Sequence, residues 1–197
     1  EKAEEASRLM SDLHLDWETR SVINLKTRGP YIYAAHPSTE ALLASYSLNG
    51  VKGRWRRGQP CPPEIAAHVE KGGRIAAFNA AFERLIWWLV MAKRYGWPKP
   101  RLEQFRCTAA AAAAMSLPRS LDKLGDALGL QAKKDKRGKK LIDLLSVPQG
   151  YTASGEPIWN EDPKLIEEFH DYCDGDVESE IEADARLIPL SDYEQAV

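Results

Sequence analysis

The sequence predicts an α/β fold: a mixed sheet, its first three strands antiparallel and the rest parallel, flanked by helices on both faces. Three observations carry this expectation. Residues 13–19 alternate apolar and polar side chains, the pattern of a half-buried strand. A short apolar run at 74–78 and a second strand-like segment at 104–108 each lead directly into a helical pattern, the order of parallel strands with crossover helices. Before them lies a stretch of short strands and turn signals that suits an antiparallel meander.

Taken in order, Leu13-His14-Leu15-Asp16-Trp17-Glu18-Thr19 places Leu13, Leu15 and Trp17 on one face and His14, Asp16 and Glu18 on the other. Arg28-Gly29-Pro30 reads as a turn, and Tyr31-Ile32-Tyr33-Ala34 as a short strand broken by His36-Pro37-Ser38-Thr39. Residues 41–48 suit helix or strand, and Asn49-Gly50 is a hairpin signal. Arg54-Trp55-Arg56-Arg57 reads as a loop whose arginines could reach phosphates or simply be solvated. Pro62-Pro63-Glu64 opens a helix that Gly72-Gly73 ends. After the strand at 74–78, Asn79 is an N-cap residue type, and Phe82, Leu85, Ile86, Leu89 and Val90 recur at helical spacing up to Gly96 and Pro98. The strand at 104–108 precedes six consecutive alanines, a helix by propensity, which Pro118 breaks. Leu121, Leu124, Leu128 and Leu130 mark a further short helix. Residues 132–160 have no clean period and read as a long functional loop with one short helix near 141–145. Pro163 starts a last long helix to about Leu187, closed by Pro189.

The chain has 197 residues, enough for one domain with a proper core, and 44% are hydrophobic. Its formal net charge of -2 singles out no partner. Locally, six of the eight residues from Lys133 to Lys140 are basic, whereas residues 161–184 are strongly acidic. Three cysteines, Cys61, Cys107 and Cys173, are far apart and form no Cys-x-x-Cys, which argues against a disulfide framework or zinc site and suits a reducing cytosol. No apolar run reaches membrane-spanning length, so no membrane partner is expected. Residues 1–11 read as an N-terminal extension or cloning remnant.

Asp16 and Glu18 leave the same face of one strand. Two anions so close repel unless a cation lies between them, and hard divalent cations favour carboxylate oxygens. By itself Asp-x-Glu fits an acidic strand face in solvent equally well. Glu83 lies in the first turn of its helix, where the macrodipole favours an anion. Tyr172 and Asp176 are four apart and share a helix face.

Together these three sites resemble the Exo I, Exo II and Exo III motifs of the DEDD 3′→5′ exonucleases, which have an RNase H-like fold. Asp16 and Glu18 match the first motif. Asn79, Phe82 and Glu83 match the second, which normally ends in Asp. Tyr172 and Asp176 match the Tyr-x-x-x-Asp of the third. The position that carries histidine in the other branch is Asp171 here, so the resemblance is to the Tyr branch. Cys107-Thr108, Leu117-Pro118, the segment from Lys134 through Gly138 to Leu141, and Tyr172-Cys173 look like the proofreading domain of bacteriophage-type family A DNA polymerases, and residues 188–195 resemble the segment that leads from it into the polymerase.

The resemblance implies a catalytic set of Asp16, Glu18, Glu83, Tyr172 and Asp176. It implies two divalent ions, Mg²⁺ or Mn²⁺, held by Asp16, Glu18, Glu83 and Asp176 about 4 Å apart. It implies a single-stranded or frayed DNA 3′ end as substrate, gripped by Thr19, Val22, Asn79 and Phe82. Lys134, Lys136, Arg137 and Lys139 would follow the phosphate backbone. Residues 12–188 would be the exonuclease domain, with 132–160 a basic loop insertion. Residues 189–197 would start a linker toward a polymerase domain, in cis or in trans, with the chain an excised or separated unit. A cytoplasmic setting follows, a bacterial host's if phage-encoded. Two other readings stay open: an RNA-trimming exonuclease of the same branch, and a silenced exonuclease fold kept for docking or nucleic-acid binding, for which Glu83 is the only sign.

Overall fold

The computed structural model describes residues 12–131 and 137–195. A five-stranded sheet in the order β3-β2-β1-β4-β5 is formed by β1 (Leu13–Arg20), β2 (Glu40–Leu48), β3 (Val51–Arg56), β4 (Ile75–Ala77) and β5 (Phe105–Cys107). β1, β2 and β3 pair antiparallel, and β4 and β5 add in parallel to β1. This mixed α/β sheet flanked by helices is the expected arrangement and is consistent with an RNase H-like fold.

The helices are α1 (Leu25–Ala35), α2 (Pro63–Glu70), α3 (Ala80–Ile86), α4 (Lys93–Tyr95), α5 (Thr108–Ala114), α6 (Leu121–Leu128), α7 (Gly138–Leu145), α8 (Pro163–Asp184) and α9 (Asp192–Gln195). A π-helical stretch, Trp87–Ala92, makes α3 and α4 continuous. Trp87 in this stretch is buried, and Trp17, Trp55, Trp87 and Trp97 meet edge to face at 5.5–6.0 Å between ring centroids. Such contacts add to the area that these rings bury.

Several local expectations are corrected. Tyr31-Ile32-Tyr33-Ala34 is helical, part of α1, not a strand. The Asn24 side chain caps α1 by accepting from the Lys26 and Thr27 amides, and this local stabilisation overrides the strand propensity of Tyr-Ile-Tyr. The expected break at Gly29 survives as a kink with φ 79°, in the left-handed region, and Pro30 starts the second half. Arg54-Trp55-Arg56 belongs to β3, not to a loop. Its Trp55 is core, while Arg54 and Arg56 pair with α8 acids. Within 132–160, besides α7, a small antiparallel hairpin forms from β6 (Gly150–Tyr151) and β7 (Pro157–Ile158). The last long helix stops at Asp184, short of Leu187.

The position of Gly53 gives a test of this packing. It lies opposite Tyr46, and a β carbon there would sit 2.2 Å from the Tyr46 ring. Tyr46 is buried, with its hydroxyl donating to Glu64 at 2.6 Å. Gly53→Ala is expected to lower stability by about 1–3 kcal/mol, the usual cost of overpacking. A lowered urea midpoint checks this; an unchanged one would mean that Tyr46 can vacate its place freely.

Candidate active site

β1 is the organiser. Its alternation sends Trp17 into the tryptophan cluster and turns His14, Asp16 and Glu18 toward α8. A register shift against β2 falls between Glu18 and Thr19, an irregularity of the kind that re-aims side chains beside functional sites. On its other edge β1 pairs with β4 only at Leu13 and His14, because β4 leaves the sheet after Ala77. The Trp17 amide therefore has no partner from β4. It donates instead to Glu83 of α3, at 3.2 Å.

That bond fixes Glu83 beside β1. Glu83 is 4% exposed. Burial, and then the charge of Asp16, push its carboxyl well above the usual carboxylate range, partly offset by the Trp17 amide. On α8, Tyr172 and Asp176 share the face toward β1, as their spacing predicts, and the Tyr172 hydroxyl donates to Asp176. Burial and the Asp176, Glu18 and Asp16 carboxylates raise the Tyr172 pKa far above the ordinary tyrosine value, so its hydroxyl stays protonated. Cys173 is buried between these positions. Its thiol donates toward Asp16 Oδ2 at 3.3 Å, and burial together with Asp16 and Glu18 keeps it a thiol. Asp16, Glu18 and Cys173 bring one ligand atom each to within 4.8 Å of the others.

Asp16, Glu83 and Asp176 line one cleft of about 510 Å³, together with Asn79, Arg119 and Glu180. Asn79 holds the N-cap position of α3, but its side chain makes no capping bond. Of the expected end-gripping residues, Thr19 is buried and Phe82 half-buried. Val22 lines a different cleft of about 500 Å³, with Arg20, Ser38 and Trp159, whose lining does not include Asp16, Glu83 or Asp176. In the basic segment, Lys134 and Lys136 lie outside the described residues. Arg137 and Lys139 are exposed, with Arg137 3.9 Å from Glu168.

Sequence reasoning missed three residues. Tyr33 hydrogen-bonds Thr19 Oγ1 at 2.9 Å and lies 6.0 Å from the Phe82 ring, so one side chain links two elements of the expected grip. Burial pushes its hydroxyl up to about 12. Its signal was hidden by the strand reading of 31–34. Glu180, one turn beyond Asp176 on the same α8 face, bonds His14 Nδ1 at 2.6 Å and Thr108 Oγ1. Its i+4 spacing from Asp176 was legible in the sequence. Gly138, which the sequence places only within the basic loop, abuts the Tyr172 ring.

A cluster of this kind, four carboxylates with one neutral phenol and one neutral thiol, can hold hard cations and orient water among them. No protein-family model matches the chain. The chain is similar to a DNA polymerase of Bacillus phage SP02, 36% identical over 179 residues that cover 87% of this chain. The match spans only about a quarter (27%) of that polymerase. Among the described residues no helix is long and apolar enough to cross a membrane.

Gly138 offers a test of how Tyr172 is held. A β carbon at 138 would fall 2.3 Å from the Tyr172 ring, and Tyr172 is too buried to swing aside freely. Gly138→Ala is expected to displace the hydroxyl from Asp16, Glu18 and Asp176. It should slow any reaction of the cleft that uses the hydroxyl, by no more than Tyr172→Phe, for which a loss of about 10²–10⁴ is reasonable. Comparing both variants in one assay checks this; full activity in Gly138→Ala would mean that the loop does not fix Tyr172.

Proposed function

We propose that the chain is a 3′→5′ exonuclease that removes nucleotides from single-stranded or frayed DNA ends, a proofreading unit related to a DNA polymerase. The observation that carries this reading is the convergence of Asp16, Glu83 and Asp176 on one cleft, with Glu18 and Tyr172 beside them. The likeness to a phage DNA polymerase supports the polymerase context and DNA as the polymer. A polymerase domain would be the partner, in cis or in trans.

The donor set fits two divalent ions. Its groups are oxygen donors, and Glu83 is held beside Asp16 in a buried place where both charges are costly without a cation. Asp16, Glu18, Glu83 and Asp176 would hold Mg²⁺ or Mn²⁺, which when bound lower the pKa of water and stabilise the leaving oxygen. Tyr172, kept protonated, orients the attacking water. Thr19 and Asn79 hold the terminal nucleotide, and Phe82, backed by Tyr33, packs on its base. In the reaction the water oxygen bonds to phosphorus as the bond from phosphorus to the O3′ of the preceding nucleotide breaks. The water gives up a proton, O3′ gains one, and a nucleoside 5′-monophosphate leaves the shortened strand.

Glu83 stands where the second motif normally has Asp, with the same charge and one more methylene. The long side chain still reaches β1, as its bond to the Trp17 amide illustrates. A 5′-labelled oligonucleotide is expected to give a descending ladder with Mg²⁺ or Mn²⁺ and none with chelator. Glu83→Ala should nearly abolish the ladder and Glu83→Asp retain it. Wild type inert across the whole metal titration, with Glu83→Asp active, would replace this reading with a silenced scaffold.

Metal binding should also appear as stability. Mn²⁺ at a hundredfold excess over its Kd should add about 2.7 kcal/mol to unfolding free energy. Asp16→Asn is expected to raise the melting temperature in chelator by relieving repulsion, and to lose most of the Mn²⁺ gain. Thermal melts with and without chelator test this; an undiminished gain in Asp16→Asn would remove Asp16 from the metal site.

A further inference from the structure

Among the described residues, the cleft that holds Asp16, Glu83, Asp176 and Glu180 has a single cationic side chain in its lining, Arg119. Arg119 is exposed, and among the described residues it makes no hydrogen bond or ion pair. Most of the other arginines are committed: the buried Arg20 and the more exposed Arg54, Arg56, Arg57 and Arg186 pair with acids, and Arg94 holds three backbone carbonyls.

The backbone around Arg119 is held in place. Pro118 precedes it, the Leu117 amide bonds the Ala112 carbonyl, and the Ser120 carbonyl accepts from Leu124 in α6. Leu117 and Leu124 pack in the same apolar cluster. A guanidinium on an anchored loop, at the rim of a cleft lined by acids yet unpaired with any of them, is available to an anion that enters. The geometry points to Arg119 as a phosphate contact, its guanidinium donating to non-bridging oxygens of the terminal nucleotide's phosphate. Arginine suits this task because its planar fork matches two phosphate oxygens and stays charged at every working pH. The inference rests on the exonuclease reading of the cleft and adds to it a residue outside the three motifs.

The test uses a product, deoxythymidine 5′-monophosphate, and its phosphate-free counterpart thymidine, each titrated calorimetrically into the protein with Mn²⁺. Arg119→Gln should weaken the monophosphate about 10- to 100-fold, in line with a charged hydrogen bond, and leave thymidine unchanged. Arg119→Lys should recover part of the loss. The same variant should lower kcat/KM on a single-stranded oligonucleotide by a similar factor. Because Arg119 is exposed and unbonded, the melting temperature should stay at the wild-type value. Equal monophosphate affinity in wild type and Arg119→Gln overturns the inference, as does an equal loss for monophosphate and thymidine, or a wild type that binds no monophosphate. The exonuclease reading fails separately, if wild type cuts no DNA with any divalent metal while its preference for the monophosphate still depends on Arg119.

Discussion

The sidedness of β1 is the constraint on which the rest depends. Trp17 is locked among three other tryptophans, so the strand cannot slip by one residue without pulling that ring out of the core. The same lock holds Asp16 and Glu18 against α8, an arrangement that two carboxylates would not adopt for their own sake. Burial of Trp17 stabilises the strand, and the acid pair is carried along at an electrostatic cost. Cys173 moderates that cost by donating to Asp16 from a buried, neutral thiol.

α8 works as a two-sided helix for the same reason. Its inner stripe, Tyr172, Asp176 and Glu180, faces β1 or the cleft. Its outer acids, Glu167, Asp171, Asp174 and Glu178, are matched by Arg54, Arg56 and Lys52 from β3. Exposed pairs of this sort contribute little each. Together they offset most of the charge of the outer face, three cations against four acids, while Asp176 and Glu180 are turned to the cleft. The arginines of β3 are therefore occupied within the fold, and among the described residues Arg119 is the cation that lines the carboxylate cleft.

The residues of the proposed end grip are coupled in a way that separate motifs conceal. Thr19 comes from β1 and Phe82 from α3, and Tyr33 of α1 touches both. α1 holds that ring in place through Asn24 at its start and the Gly29 kink in its middle. Thr39 donates to the Tyr33 carbonyl and Arg94 to the carbonyls of His36, Pro37 and Thr39, tying the far end of α1 to the helix that carries Phe82. A change in any of these contacts would reach the proposed nucleotide site through Tyr33.

What the sequence determined by itself was periodic and local. Alternation put Asp16 and Glu18 on one face, four-residue spacing put Tyr172 and Asp176 on one face, and a strand-to-helix junction placed Glu83 in a first turn. Those follow from the geometry of a single element, so a short window suffices. Where two local signals competed, as at residues 31–34 between strand propensity and the cap at Asn24, the window was not enough. Only the tertiary structure decided the contacts between distant residues. Glu83 meets the amide of Trp17, 66 residues away, and its raised pKa comes from that burial and from Asp16. Arg54 reaches Asp174, 120 residues on, which turned a supposed loop into an edge strand with its charges spent. Arg119 lies at the carboxylates because α5 and α6 fold back over α8, a placement that no spacing along the chain encodes.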